Sequence, residues 1–284
     1  MALGSRFGFE SEKPATFIFC ALACEARPLI KAWRLKKMAL PTAPFTIYAD
    51  QSRVIVITGI GKAAMAGAVG YVMALFVGSS ADRILINLGI AGHPQHGCGE
   101  VFLADKIVDV ETGKAYFPQL PFIVPCRTIA LTTYSRPQID YKEAALSDME
   151  AVGFYEMATK FSSNELIHVV KIVSDNQYSS IDNINEVLVE NWVGDRLVVI
   201  DELIGLLNQS RALLKQVDVH SLSEPILQRF HFTQANTNKL NALLKRWGVI
   251  RSGETLLWED ANMANAAELL IWLERQLNCG EFYL

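Results

Sequence analysis

The sequence predicts an α/β protein built on a layered sheet. Two observations predict it. Short apolar runs rich in β-branched and aromatic residues alternate with helical segments from Thr16 to Gln216. Glycine-bearing turns follow two of those runs, at Gly59 to Lys62 and Leu88 to Gly92. Strands alternating with helices argue for helices packed on a sheet rather than for a bundle or a sandwich of strands.

Each element follows from its local pattern. Thr16 to Ala21 (TFIFCA) is a buried strand. Glu25 to Lys37 is amphipathic and basic at its end, which predicts a helix. Ile47 to Ala49 and Arg53 to Thr58 read as a β-pair joined at Asp50-Gln51-Ser52. After the Gly59-Ile60-Gly61-Lys62 turn, Ala63 to Val77 is a helix of small residues. Arg83 to Asn87 is a strand running into Leu88-Gly89-Ile90-Ala91-Gly92, and Glu100 to Val110 is another. Ile123 to Leu131 continues the β pattern. Met149 to Phe161 predicts a helix, Leu166 to Val173 a buried strand, and Asp195 to Gln216 a long amphipathic helix.

From Val217 the character changes to helices alone: Glu224 to Phe230, Thr233 to Trp247 and Asn262 to Leu277. Thr233 reads as an N-cap, with Leu240, Leu243, Leu244 and Trp247 as an apolar stripe and Gly248 as a stop. The organisation is therefore a flexible tail at 1–15, a main domain at 16–216 and a helical appendage at 217–284 that packs on the core or on a partner subunit. A helix-turn-helix is the competing reading of the appendage. It lacks the excess of Lys and Arg that DNA binding needs.

Composition narrows the function classes. The chain has 284 residues, 51% hydrophobic and 20% charged, enough for a large core. A formal net charge of −4 offers no basic field, so no nucleic-acid partner is expected. The five cysteines are odd in number and form no C-x-x-C, which fits a reducing, cytoplasmic compartment. Met1 to Pro14 lacks a basic segment followed by an apolar one, so no signal peptide is expected. The most apolar stretch, Ala63 to Gly78, is glycine-interrupted and falls short of the roughly 20 residues that span a bilayer, so no membrane partner is expected. His93-Pro94-Gln95-His96 has no carboxylate partner at helical spacing, and Pro94 argues for a loop. No metal and no cofactor are expected.

Three acidic residues are placed to do chemistry. Asp175 follows an apolar strand, so it emerges at the strand's carboxyl end, where ligands gather in open α/β sheets. Partial burial there would raise its pKa, as a general acid requires. The competing reading is that Ser174-Asp175-Asn176 is only a turn or a cap. Glu150 stands beside the adaptable apolar Met149 and brings two acceptor oxygens. A first-turn Glu favoured by the helix dipole is the simpler reading, and both can hold together. Glu25 opens a predicted helix, which alone calls for nothing more than an exposed carboxylate.

Taken in order, these segments resemble the purine nucleoside phosphorylase and nucleosidase family. Ser147-Asp148-Met149-Glu150-Ala151-Val152-Gly153 looks like that family's sugar-holding segment. His168-Val169-Val170-Lys171-Ile172-Val173-Ser174-Asp175-Asn176 resembles its strand ending in Ser-Asp. Phe17 to Ile30 (FIFCALACEARPLI) is similar to the first strand and loop of methylthioadenosine/S-adenosylhomocysteine nucleosidases. Gly59-Ile60-Gly61-Lys62-Ala63-Ala64 and Asn87-Leu88-Gly89-Ile90-Ala91-Gly92 resemble two of its loops. The resemblance covers Thr16 to Gln216. It implies a three-layer α/β/α sandwich around a mixed, partly closed sheet, assembled as a homodimer or a larger homo-oligomer.

The implied activity is cleavage of the N-glycosidic bond of a purine nucleoside or a 5′-substituted adenosine. The resemblance makes Asp175 the acid that meets the base and Glu25 the residue that orients the attacking water. Met149 and Glu150 then hold the ribose, with Ser174, Gly61, Gly89, Ile90 and Ala91 completing the substrate site. Two departures bear on the nucleophile. Ile90 stands where the family usually has a hydroxyl residue, and Asn87 stands where its phosphorylases place an arginine. Arg27 is the candidate phosphate ligand that could compensate. Hydrolysis is therefore favoured over a phosphate-dependent phosphorylase. A reading of another class is a non-catalytic nucleoside-binding or interaction module on the same fold. Tyr134-Ser135-Arg136-Pro137 lies where the base-binding loop of the family precedes its sugar-holding segment.

Overall fold

A computed structural model of the chain describes residues 14–76, 83–141, 143–215, 219–251, 254–261 and 263–278. The expected tail lies outside these residues up to position 13, as does the expected boundary at Val217. The chain divides into two compact units between Asn208 and Gln209.

Among its described residues the first unit carries ten strands: β1 (Thr16–Cys20), β2 (Lys36–Lys37), β3 (Thr46–Ala49), β4 (Arg53–Ile57), β5 (Ile84–Gly92), β6 (Val101–Asp109), β7 (Ala115–Tyr116), β8 (Arg127–Thr133), β9 (Leu146–Asp148) and β10 (Ile167–Asp175). Its helices are α1 (Ala23–Trp33), α2 (Lys62–Leu75), α3 (Ala151–Ala158), α4 (Glu186–Gly194) and α5 (Leu197–Lys215), the last of which spans the division.

Strand β5 is where the sheet forks. Its first half pairs in parallel with β1, Thr16 opposite Ile84. Its end, Gly92, pairs with Ser147 of β9. Its other edge pairs in parallel with β10. From β10 the pairing continues to β6, β8 and β9, so five strands close into a ring. Strands β1, β4, β3 and β2 leave that ring as an open wing. Parallel and antiparallel pairs both occur, as a mixed and partly closed sheet requires.

Alternation along β1 and β4 sends Phe17, Phe19, Val54 and Val56 to one face, where they join a core with Met65, Val69 and Phe154 of α2 and α3. Ile18 and Ile55 point to the other face and are fully buried there, beneath the layer formed by α1 and α4. Helices cover both faces, giving three layers.

Several boundaries differ from expectation, each for a local reason. The first helix stops at Trp33, because Arg34 adopts a left-handed conformation with φ 54° and Leu35 N–H returns to Ile30 O at 3.0 Å. Lys36 and Lys37 then pair with β3 instead of extending the helix. The strand expected from Ile123 begins at Arg127, just after Pro125, which has no N–H to give a ladder. Asp148 Oδ2 accepts the N–H groups of Glu150 and Ala151, at 3.2 and 2.8 Å, so α3 starts at Ala151 rather than Met149. Helix α4 was not expected; Asn185 caps it by accepting Leu188 N–H at 3.0 Å.

The second unit holds α6 (Val219–Arg229), α7 (Gln234–Ile250) and α8 (Ala266–Asn278). Thr233 caps α7 through Asn236 N–H at 3.3 Å. Gly248 does not end that helix, which runs to Ile250 with Arg251 N–H closing on Trp247 O at 2.7 Å. The stripe of Leu240, Leu243, Leu244 and Trp247 is buried against Ile226, Trp258 and Leu273. Among the described residues no helix is long and apolar enough to cross a membrane.

Candidate active site

The carboxyl ends of β1, β5 and β10, with the turn after β4, meet around a cavity of about 260 Å³. Its polar groups are Glu25, Asp148, Glu150, Ser174, Asp175, Ser147 and Gln138. Its apolar wall is made by Leu22, Ile60, Ile90, Met149, Ile181 and Ile184, among others.

Glu25 sits in the first turn of α1 and is 2% exposed. Its Oε2 accepts Leu22 N–H at 2.8 Å and its Oε1 accepts Ile90 N–H at 2.9 Å. The carboxylate thus bridges the ends of β1 and β5. Gly89 makes this close approach possible: a Cβ there would lie 2.9 Å from Glu25 Oε1 and 3.3 Å from Lys171 Nζ.

Lys171 lies inside β10 with its side chain 1% exposed, and Nζ is 2.9 Å from Asp148 Oδ2. Burial alone would lower its pKa, but Asp148, Glu150 and Glu25 together raise it, so it carries its charge. Burial pushes Glu25 up to about 7, against the pull of Lys171 and of its two backbone donors. Burial likewise raises Glu150, with Lys171 opposing and Asp148 adding to the rise. Three carboxyl groups around one ammonium leave two charges uncompensated if all ionise. Burial therefore opposes ionisation of all three at once and raises both Glu25 and Glu150 above the ordinary carboxylate range.

Glu150 is the N-cap residue of α3, and its Oε1 accepts Gly61 N–H at 2.8 Å. That contact needs α2 and α3 to touch, and Gly153 lets them: a Cβ there would lie 2.2 Å from Lys62 O. Asp148 also accepts the Thr133 hydroxyl at 2.7 Å, fixing β9 to β8.

Asp175 ends β10 after a register shift between Val173 and Asp175 that turns its side chain into the cavity. Ser174 Oγ donates to its Oδ1 and the Tyr141 hydroxyl donates to its Oδ2, both at 2.5 Å. Gly92 leaves room for this corner, since a Cβ there would meet Asp175 Oδ2 at 2.6 Å. Asp175 O accepts His93 N–H at 3.0 Å. His93 Nδ1 accepts the N–H groups of Gln95 and His96, and burial lowers its pKa to about 4. Among the described residues no three His, Cys, Asp or Glu side chains are grouped to hold a metal ion.

Of the residues singled out in the sequence, Glu25, Ile90, Ala91, Met149, Glu150, Ser174 and Asp175 line the cavity together. Gly61 and Gly89 support it from behind, through Glu150 and Glu25. Arg27 does not join them. It is exposed and held between Glu186 and Glu190 of α4. Asn87 is buried and spends its amide N–H on Phe19 O at 3.0 Å. Lys171, Asp148 and Tyr141 were not foreseen. The one signal for Lys171 is a lysine in the middle of an otherwise apolar strand, and Asp148 immediately precedes the Met149-Glu150 pair.

Fold and site together define an α/β protein with a mixed, partly closed sheet and a carboxylate-lined cavity at its strand ends. The chain has the fold of the nucleoside phosphorylase and nucleosidase superfamily. It is similar to the 5′-methylthioadenosine nucleosidase of Arabidopsis thaliana in apo form, with TM-score 0.54 and 15% identity over 70% of this chain and 97% of that one. It is similar to native futalosine hydrolase of Helicobacter pylori, with TM-score 0.54 and 10% identity over 69% and 99%. Uridine phosphorylase of Schistosoma mansoni in complex with thymidine matches with TM-score 0.52 and 12% identity over 74% and 90%. No family model and no curated protein matches the sequence.

Proposed function

We propose that the chain is an N-glycosidase that hydrolyses the N-glycosidic bond of a purine nucleoside or a 5′-substituted adenosine. The observation that carries this reading is the convergence of Glu25, Glu150 and Asp175 on one cavity, with Met149 beside them. The two solved hydrolytic enzymes of the same fold, a 5′-methylthioadenosine nucleosidase and a futalosine hydrolase, are consistent with it.

The chemistry follows from the placement. The bond from the anomeric carbon to the base nitrogen breaks, and its electron pair leaves with the base. Asp175 delivers a proton to the base as that charge develops. Glu150 accepts hydrogen bonds from the sugar hydroxyls while the ring gains oxocarbenium character, and Met149 packs on the sugar. Water then bonds to the anomeric carbon and loses its proton to Glu25. A general base works best with a pKa near the working pH, and Glu25 at about 7 meets that condition.

Water is preferred to phosphate because neither position considered for an anion clamp turns a cation to the cavity: Arg27 points away and position 87 holds a neutral asparagine. Arg27 is engaged by Glu186 and Glu190, and Asn87 by Phe19 O. A non-catalytic binding module would have no need of a basic carboxyl and an acidic partner converging on one small space. The test is to incubate the protein with a panel of purine nucleosides, with and without phosphate, and identify the sugar product. Free sugar in phosphate-free buffer supports the proposal. Strict phosphate dependence with a sugar 1-phosphate product overturns its choice of nucleophile.

A further inference from the structure

We propose that Tyr141 is a placeholder for the base: its hydroxyl holds an acceptor position on the oxygen of Asp175 that faces Gly92, and tyrosine and base compete for that carboxylate. This rests on the proposed N-glycosidase reading, in which Asp175 meets the base.

Both carboxylate oxygens of Asp175 are engaged. Ser174 Oγ holds Oδ1 and the Tyr141 hydroxyl holds Oδ2, each at 2.5 Å. A base that meets Asp175 competes with these donors for the lone pairs of the carboxylate. Ser174 cannot leave, because it is the neighbour of Asp175 in β10 and is 4% exposed. Tyr141 sits in the irregular segment between β8 and β9, not in a ladder. Its backbone has φ 44°, a left-handed conformation that a bulky side chain rarely adopts. Its ring packs over Gly92, with Cε1 3.3 Å from where a Cβ would stand. Pro137 and Gln138 of the same segment already line the cavity. Tyr141 thus stands beside the Gly92–Asp175 corner of the cavity, on an element free of sheet pairing.

A placeholder lowers apparent affinity by the fraction of molecules in which it is in place. It acts through Asp175 and is a positioning residue. Removing its hydroxyl should strengthen binding of a base, leaving the chemical step of Asp175 intact. A tyrosine that served the bound substrate would give the reverse.

The test compares wild-type protein with Tyr141→Phe by calorimetric titration with adenine, and by steady-state turnover of an adenine nucleoside. The expected result is about tenfold tighter adenine binding, the scale of a lost charged hydrogen bond. KM falls by a similar factor and kcat stays within about threefold. Tyr141→Gly, which suits the left-handed backbone and removes the ring, should shift binding in the same direction. Equal or weaker adenine binding in Tyr141→Phe, with wild-type binding intact, overturns the placeholder alone. If neither protein binds adenine or any base of a purine and pyrimidine panel, and neither releases base, the N-glycosidase reading falls and the placeholder with it.

Discussion

Lys171 Nζ lies 2.9 Å from Asp148 Oδ2, and both side chains are sealed from solvent at 1% and 0% exposure. The pair joins β10 to the turn that starts α3, so it sets the distance between the strand bearing Asp175 and the turn bearing Met149 and Glu150. It also supplies the only positive charge that opposes the burial of Glu25 and Glu150 among the causes that shift them.

Lys171→Met should therefore be costly. It leaves Asp148 buried without its cation, a loss on the order of 3–5 kcal/mol. Urea unfolding measures it. A change of less than about 1 kcal/mol would mean that Asp148 is satisfied by Thr133 and the α3 N–H groups alone.

Glu25 sets a pH dependence whose sign can be worked out. Its pKa is raised from the ordinary 4.5 to about 7 in the folded protein. Between those values the native state holds a proton that the unfolded chain releases. Stability from this group is fully present below about pH 4.5 and is lost as pH rises through about 7. Turnover moves the other way, rising through about pH 7 as Glu25 becomes a base. Glu25→Gln should flatten the stability change in that window and remove the rising limb of activity. Thermal melts and a rate profile from pH 5 to 9 check both.

Gly153→Ala should break the site from a distance. The added Cβ would lie 2.2 Å from Lys62 O, backbone that cannot swing away. Helices α2 and α3 must separate, and Gly61 N–H then leaves Glu150 Oε1, now 2.8 Å away. Overpacking of this kind costs about 1–3 kcal/mol. The expected outcome is a folded, less stable protein whose KM for nucleosides rises more than its affinity for free base falls. Unchanged KM would separate Glu150 from the sugar.

Much of this arrangement was legible in the sequence. Asp175 could be placed at a strand end because Leu166 to Val173 is almost wholly apolar, and Glu25 because it follows a run of Phe and Ile that can only be a buried strand. The closure of the sheet was legible only through the family resemblance. It depends on Gly92 pairing with Ser147 and on the three-residue β9, too short for any pattern. Lys171 was hidden because a lone lysine in an apolar strand gains meaning only when Asp148, Glu150 and Glu25 are seen to surround it. Tyr141 was hidden because its contact with Asp175 spans 34 residues through an irregular segment. Arg27 drew notice for its charge near Glu25, but a helix turn carries it out towards Glu186 and Glu190.

The most direct test of the account compares base release by wild-type protein and Asp175→Asn in phosphate-free buffer, using chromatographic detection of the freed purine. Wild type should release base. Asp175→Asn should be slower by about a hundred- to ten-thousandfold, because an amide cannot deliver the proton. Folding and adenine binding of the variant should remain close to wild type. Base release by a folded Asp175→Asn protein at the wild-type rate would contradict the account, as would the absence of base release by wild type from every purine nucleoside tried.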